Sequence, residues 1–295
     1  MVDTPRRRPE PGEGWEPSLR EWRTLVPIFR AQTATPLLAV AGALSAPAGA
    51  GGVVLGLVEL PPRRLPHLNR VVERRRLDLL RWLATVDTDE RQVGLTVQMR
   101  VSHDVPLGVR EAVYENDSNL IVVEWPGVST RRPKLLGAVL EELTSNPPAD
   151  LALVRPALAP KPDGRPPANI LVPIRGGPNA RLAMRVADTI AESAGAHLTF
   201  LHVIDGSDHP RRRRALADSF QRMVGQVRHR DVEVLVRAAQ RGDPGAAILR
   251  ESRGFDMVVM GAFAEPQLPP VLVRSELATM VRRLSGTVIL TRTAG

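Results

Sequence analysis

The stretch Asp256-Met-Val-Val-Met-Gly-Ala-Phe-Ala-Glu-Pro-Gln-Leu-Pro-Pro-Val-Leu-Val-Arg-Ser-Glu276 decides the fold. Its apolar start predicts a short strand that ends in a loop at Gly261, and a helical pattern begins near Ser275. In an α/β protein this order places free backbone N–H groups and a helix N-terminus beside the carboxyl end of a strand. The stretch therefore predicts a place where an anionic ligand can bind.

A similar stretch occurs earlier in the chain, from Asn119 to Gly137. Aligning Asn119 with Asp256 gives a shift of 137 residues, and the same shift aligns Arg155 with Arg292. The chain therefore contains two copies of one unit. Each copy is predicted as βαβαβαβαβ, since neighbouring parallel strands need a crossover and a helix supplies it.

The copies set the predicted domain boundaries. Residues 22–155 and 169–295 are the two predicted α/β domains, and residues 156–168, which hold five prolines, are the predicted linker. Residues 1–21 are charged and proline-rich, without the apolar core of a signal peptide, and are predicted to form a flexible N-terminal segment. We expect a cytoplasmic protein.

The composition excludes some chemistry. The 295 residues suffice for two domains, and the absence of cysteine excludes disulfides and thiolate sites. The net charge is +8, and 38 of the 40 basic residues are arginines. Solvated helix faces explain the arginine runs better than nucleic acid binding, because no aromatic residues interleave them. No nucleic acid partner is expected.

Two local predictions concern helices. Residues 31–58 carry no charge, but prolines and a glycine cluster interrupt them, so they are predicted as helix, turn and strand rather than a membrane span. Within them Thr35 and Pro36 suit the N-cap and first position of a helix. The helix after the second strand of each copy is predicted over residues 66–85 and 210–228.

The chain resembles the universal stress protein family in its tandem two-domain form. The sequence Leu-Val-Pro-Ile opens both units, at Leu25 and Leu171, and two further motifs lie in the second unit, at residues 201–204 and 242–249. The resemblance covers nearly the whole chain. It implies a five-stranded parallel sheet in each half and two halves that pair through their last strands as a pseudo-dimer, with a further homodimer left open.

Some members of this family bind ATP through Gly-x2-Gly-x9-Gly-Ser/Thr after the fourth strand, because glycines let the backbone approach phosphate oxygens. In the second half two of the three glycines of this motif are lost. The tentative nucleotide site of this half comprises Pro173, Ile174, Arg175, Val203, Gly261, Ala264, Arg274 and Ser275. The Asp that closes the first strand in ATP-binding members is replaced here by Arg175.

The first half is the weaker candidate. Glu124 replaces the first glycine, and a carboxylate ~5 Å from a phosphate charge would cost about 3 kcal/mol at an effective dielectric constant of ~20. Ala138 replaces the hydroxyl, and Phe29 the Asp. The remaining candidate residues in this half are Pro27, Phe29, Gly127 and Gly137.

Other chemistry has little support. The six histidines show no metal-ligand spacing, His103-Asp104 suits a turn, and no catalytic residue is assigned. Trp125 could stack on a base or a partner, but capping the core under its own loop is the better interpretation.

The leading hypothesis is a non-enzymatic stress-response or regulatory module that binds ATP or another anion, with no certain cofactor and an unknown protein partner. The alternative is an interaction or structural module without nucleotide, such as the soluble regulatory domain of a membrane transporter. An ATP-hydrolysing enzyme is the weakest hypothesis, because the Walker lysine motif is absent.

Overall fold

The computed structural model describes residues 21–29, 31–46, 51–59, 66–87, 94–125, 134–159, 165–174, 177–204, 209–239, 243–262 and 276–294. The strands are β1 (Thr24–Ile28), β2 (Gly52–Glu59), β3 (Leu95–Ser102), β4 (Leu120–Glu124), β5 (Asp150–Arg155), β6 (Asn169–Ile174), β7 (His197–Ile204), β8 (Val232–Ala238), β9 (Met257–Gly261) and β10 (Thr287–Arg292). The helices are α1 (Ala34–Ser45), α2 (Pro66–Asp87), α3 (Val105–Glu115), α4 (Lys134–Ser145), α5 (Pro178–Ala194), α6 (Pro210–Val224), α7 (Pro244–Glu251) and α8 (Glu276–Arg283).

All these strands belong to one sheet in the order β3-β2-β1-β4-β5-β10-β9-β6-β7-β8. Each half contributes five strands that pair in parallel. The last strands, β5 and β10, pair antiparallel, with Arg155 opposite Val288 and Leu151 opposite Arg292. The predicted fold class and the predicted pairing through the last strands are both confirmed.

The sheet separates two hydrophobic cores. Central strands read as continuous apolar runs because both of their faces are covered, as in parallel sheets generally. Side chains of α1, α2, α5 and α6 enter the core on one face, where Phe200 and Phe220 are among the largest members. Those of α3, α4, α7 and α8 enter the core on the other face, which also contains Trp125.

The repeated pair Asn119 and Asp256 has a structural role in both halves. The Asn119 side chain accepts from Arg23 N at 3.0 Å and donates to Glu21 O at 2.9 Å. Asp256 Oδ2 accepts from Ala168 N at 2.8 Å. In each half, a side chain that precedes the fourth strand therefore anchors the segment that leads into the first. Asn119 and Asp256, which revealed the duplication, therefore help to hold the first strand of each half in the sheet.

The junction between the halves depends on two buried side chains. Arg155 is 6% exposed, and its Nη2 donates to Leu284 O at 2.8 Å and to Gly286 O at 2.7 Å, across the β5–β10 pair. Burial lowers the pKa of its guanidinium below the ordinary arginine value. Trp22, 4% exposed, donates from Nε1 to Thr189 Oγ1 at 3.2 Å. The N-terminal side of the first half is thus tied to α5 of the second.

Two helix boundaries differ from prediction. Thr35 is not the N-cap of α1, because a 3₁₀ turn at Ala31–Thr33 starts the winding earlier and Thr33 takes the N-cap position, although its side chain does not cap the helix. Pro36 is tolerated because the first helical N–H groups lack intrahelical partners. Helix α6 of the second half ends at Val224 rather than residue 228, since Asp188 accepts from the backbone N–H of Arg228 and of His229.

Helix α1 and strand β2 follow the prediction for residues 31–58, and none of the described helices is long and apolar enough to cross a bilayer. The predicted N-terminal segment lies outside the described residues, apart from residue 21. So does the middle of the predicted linker, residues 160–164. The proposed domain limits therefore stay a prediction.

Candidate functional site

Two central strands of each half separate toward their carboxyl ends, and this separation is called the crevice of that half. In the second half, β6 pairs with β9 only at Ile170 with Met257 and at Leu171 with Val258, although both strands continue. In the first half, β1 pairs with β4 only at its first two residues. Strands that part at a change of strand order form the usual ligand crevice of open α/β sheets. The strand ends that carry several of the predicted site residues lie at this separation, and the site itself stays a prediction.

Four of the predicted residues lie on the strands beside the crevice of the second half. Pro173 and Ile174 end β6 as buried residues, Val203 is partly buried on β7, and Gly261 ends β9. Next to them His202 is 5% exposed, with Nδ1 3.4 Å from Ile174 O and its ring stacked on Phe220 at 5.0 Å. The described strand ends beside the crevice are thus mostly apolar.

Helix α5 begins directly against Gly261. A Cβ atom at this position would lie 2.7 Å from the carbonyl carbon of Asn179 and 2.8 Å from Ala180 N. Contacts this short do not occur, so packing of the first turn of α5 requires glycine here. The glycine that the sequence assigned to phosphate approach has a structural role of its own.

Asn179 is the residue at this site that the sequence analysis missed. Its Nδ2 donates to Ala262 O at 2.8 Å, and its Oδ1 accepts from Thr293 N at 2.9 Å. Thr291 Oγ1 donates to its backbone carbonyl at 2.9 Å. One side chain therefore fixes the first turn of α5 to the ends of β9 and β10. The only sequence signal was a polar residue directly after the proline that starts the helix.

The crevice of the first half ends differently. Glu124, at the position of Gly261, is 6% exposed, which leaves a carboxyl group at the strand end. Trp125 follows it at 1% exposure, and its backbone N–H donates to Val154 O at 2.8 Å. Trp125 belongs to the core, which confirms the preferred interpretation of this side chain. Pro27 is buried in β1, and Phe29 packs against the same core.

The phosphate loops themselves lie outside the described residues. This applies to Arg175, Ala264, Arg274, Ser275 and Gly127. Gly137 is the exception, since it lies in α4. The nucleotide contacts of both halves therefore stay a prediction.

Titratable clusters give no sign of metal chemistry in the described ranges, where no group of three His, Cys, Asp or Glu side chains could hold a metal ion. His103 and Asp104 form a turn, as expected. Asp104 is the N-cap of α3 and accepts from Leu107 N at 3.0 Å. Asp243 caps α7 in the same way in the second half.

Residues 168–292 match the model of the universal stress protein family. The second half of the chain belongs to this family. Over the whole chain, the fold is similar to that of a universal stress protein from Archaeoglobus fulgidus, with a TM-score of 0.63 at 16% identity, covering 92% of this chain and 96% of that one. The universal stress protein fold is thus present in tandem, although the family model matches only the second copy.

Two transport proteins also resemble the chain. The Na(+)/H(+) antiporter NhaS5 of Synechocystis sp. is 24% identical over 276 residues, which is 93% of this chain and 39% of the antiporter. The chain therefore spans about two fifths of the length of this curated relative. The cytoplasmic domain of a prokaryotic cation chloride cotransporter has the same fold, with a TM-score of 0.58 at 12% identity, covering 93% of this chain and 96% of that domain.

Proposed function

We propose that this tandem universal stress protein is a cytoplasmic, non-enzymatic regulatory module that acts on a cation transporter. Its two domains are residues 22–155 and 169–295. The observation that carries the proposal is the extent of the similarity to NhaS5, because it includes 93% of this chain and therefore both halves of the tandem. The shared fold with the cytoplasmic domain of a cotransporter supports the same role.

In this proposal the signal is an anion at the crevice of the second half, with ATP as the candidate ligand. Gly261 leaves no side chain at the end of β9, and α5 starts beside it, so the positive end of a helix dipole lies at the crevice. In this proposal Arg274 and Ser275, which follow Gly261 in the sequence, provide a cation and a hydroxyl for the ligand. The first half has Glu124 instead and is not expected to bind.

A ligand could influence the rest of the chain through α5. Its first turn is fixed to β9 and β10 by Asn179, and β10 pairs with β5 of the other half. Binding that favours one arrangement of this turn would shift the population of the junction, provided that the ligand has a different affinity for the two arrangements. In this proposal, the regulatory role consists of this ligand-dependent shift at the junction of the two halves.

The direct test is calorimetric titration of the full chain with ATP, together with analysis of nucleotide released from freshly purified protein by denaturation. We expect one site per chain. Ser275→Ala, which copies Ala138 of the first half, should weaken binding roughly tenfold through loss of one hydrogen bond to a charged group. The reverse change Ala138→Ser is the matched control and should create no second site, because Glu124 remains.

Absence of ATP uptake at millimolar concentration would instead favour the second candidate, an interaction module without nucleotide. The requirement of Gly261 for helix packing supports that candidate, since this glycine needs no ligand to explain it. The transporter role is tested separately, by measuring cation transport of an NhaS5-like antiporter with and without the purified chain. Unchanged transport under all nucleotide conditions would contradict it.

A further inference from the structure

Among the described residues, strand β8 is an open edge of the ten-stranded sheet, with apolar side chains exposed along it. Val234 is 37% exposed and Val236 is 47% exposed. Edge strands usually carry protecting charges or bulges, because their free N–H and C=O groups can pair with another chain. A partly apolar edge of seven residues therefore needs an explanation.

The backbone of β8 alternates between its neighbour and the open side. Leu198 N donates to Asp231 O at 3.0 Å, and Ala239 N donates to Ile204 O at 2.8 Å, so odd-numbered residues face β7. The N–H and C=O groups of residues 232, 234, 236 and 238 consequently point outward. Four residues are thus available to a further strand.

The sequence of β8, Val-Glu-Val-Leu-Val-Arg-Ala, is complementary to itself when reversed about Leu235. Placed antiparallel to a second copy with Leu235 at the centre, Val234 lies opposite the partner's Val236. Glu233 lies opposite the partner's Arg237. We propose that β8 is a homodimer interface that pairs antiparallel with β8 of a second copy in this register.

The proposed register also agrees with the direction of the backbone N–H and C=O groups of β8. Residues 232, 234, 236 and 238 of one copy meet outward-facing residues of the other and form the hydrogen-bonded pairs. Glu233 and the partner's Arg237 then form a non-hydrogen-bonded pair, where side chains approach most closely. Two such ion pairs and two valine pairs arise from the two-fold symmetry.

Existing contacts of these charges are compatible with the pairing. Arg237 Nε lies 3.2 Å from Glu251 Oε2, and its Nη1 donates to Val236 O at 3.2 Å. The guanidinium thus covers one outward carbonyl in the single chain, and this bond is exchanged on pairing. Glu233 Oε2 lies 3.6 Å from His197 Nε2, which leaves capacity for an arginine.

The opposite edge of the sheet, β3, lacks this complementarity. The strand registers of the two halves put Thr96 at the position of Glu233, Gln98 at that of Leu235 and Arg100 at that of Arg237. Arg100 also forms ion pairs with Glu111 and Glu115 of α3 in its own half. Self-pairing of β3 would place Arg100 opposite a threonine, so this edge is the natural control.

Cross-linking tests the register directly, because the chain contains no native cysteine. In a non-hydrogen-bonded antiparallel pair the Cα atoms are about 4.5 Å apart, within the range of a disulfide. We expect Leu235→Cys to form a covalent dimer under mild oxidation and Gln98→Cys to form much less. Equal cross-linking at the two positions, or none at Leu235→Cys, would overturn the proposal.

Charge exchange tests the ion pairs without relying on one variant. Glu233→Arg and Arg237→Glu should each weaken self-association at least tenfold in sedimentation equilibrium, whereas a 1:1 mixture of the two variants should form a heterodimer at least as readily as the native chain. A salt concentration of about 0.3 M shortens the Debye length to roughly 6 Å and limits repulsion between the arginine-rich α6 helices. A native chain that stays monomeric at millimolar concentration, or a mixture that does not associate, would contradict the interface.

Discussion

The two halves share their sheet architecture and the anchoring of their first strands, but they differ at the strand ends where a ligand would bind. Both part their central strands after two residue pairs, and both anchor the first strand from the residue before the fourth. At the strand end, however, one half has Gly261 under the first turn of α5, and the other has the buried Glu124. Duplication has therefore preserved the residues that hold the sheet, while the crevices have diverged.

The repeated arginines at the junction differ in the same way. Arg155 is buried and donates to carbonyl groups of the other half, whereas Arg292, which the repeat aligns with it, is only partly buried. Burial lowers the pKa of both guanidinium groups below the ordinary value. Equal positions in a repeat thus do not carry equal interaction energies.

Arg155→Met should produce the largest effect. The change leaves the carbonyl groups of Leu284 and Gly286 without their charged donor, which we expect to cost about 4 kcal/mol of unfolding free energy. Arg292→Met, the matched control, should cost about 1 kcal/mol or less because that side chain is partly exposed. Urea unfolding followed by circular dichroism measures both, and equal losses would show that the junction is more symmetric than described.

Gly261→Ala should have the next largest effect and lower the unfolding free energy by about 3 kcal/mol, because the added methyl group overlaps the backbone of Asn179. Gly42→Ala is the matched control in α1, where nothing lies within 4 Å of the added atom. There the better helix propensity of alanine should stabilise the chain by roughly 0.5–1 kcal/mol. A neutral Gly261→Ala would mean that α5 moves freely at its start, which would remove the structural explanation of this glycine.

The order of strands and helices was predictable from the sequence because apolar residues recur regularly and the unit is repeated. Apolar runs of strand length and the shift between Asn119 and Asp256 were sufficient for the order of strands and helices along the chain, and the pairing of β5 with β10 came from the family resemblance. The apolar runs follow from burial on two faces of a parallel sheet, which leaves a clear mark in the sequence.

At the candidate crevice, the end of a strand at Gly261 was predictable, but the contacts of this residue were not. Gly261 was assigned to phosphate approach, and its packing against Asn179 could not be read from spacing, since the two residues are far apart in the chain. The end of α6 was missed for the same reason, because the carboxylate of Asp188 lies on another helix. Contacts that join distant segments at one point leave no periodic signal.

Asn179→Ala tests the contacts at the crevice of the second half and should lower the unfolding free energy by about 2 kcal/mol. It removes the bonds to Ala262 O and Thr293 N, each worth about 1 kcal/mol. Asn119→Ala, which removes two similar bonds at the opposite edge of the other half, should cost about the same. If ATP binds, only Asn179→Ala should also weaken its binding, as calorimetry of the two variants would reveal. Equal affinities in both variants would separate α5 from the ligand.

The smallest effect concerns a histidine that only the second half possesses. His197 Nδ1 lies 2.8 Å from Asp231 Oδ1, and its Nε2 lies 3.6 Å from Glu233 Oε2. The hydrogen bond to Asp231 is the main reason that the pKa of His197 is raised above its ordinary value of 6.5. A raised pKa in the folded state means that protonated His197 stabilises the fold. This contribution is complete below the unfolded pKa and is lost as the pH rises through the folded pKa.

Because these side chains are partly exposed, we expect a contribution of only about 0.5 kcal/mol. His197→Gln should therefore lower the unfolding free energy at pH 5.5 by about this amount relative to the native chain, and leave it unchanged at pH 9. Urea midpoints at the two pH values provide the measurement. A difference that grows with pH would have the wrong sign for a cationic histidine held by carboxylates, and it would place the pH response of the second half elsewhere.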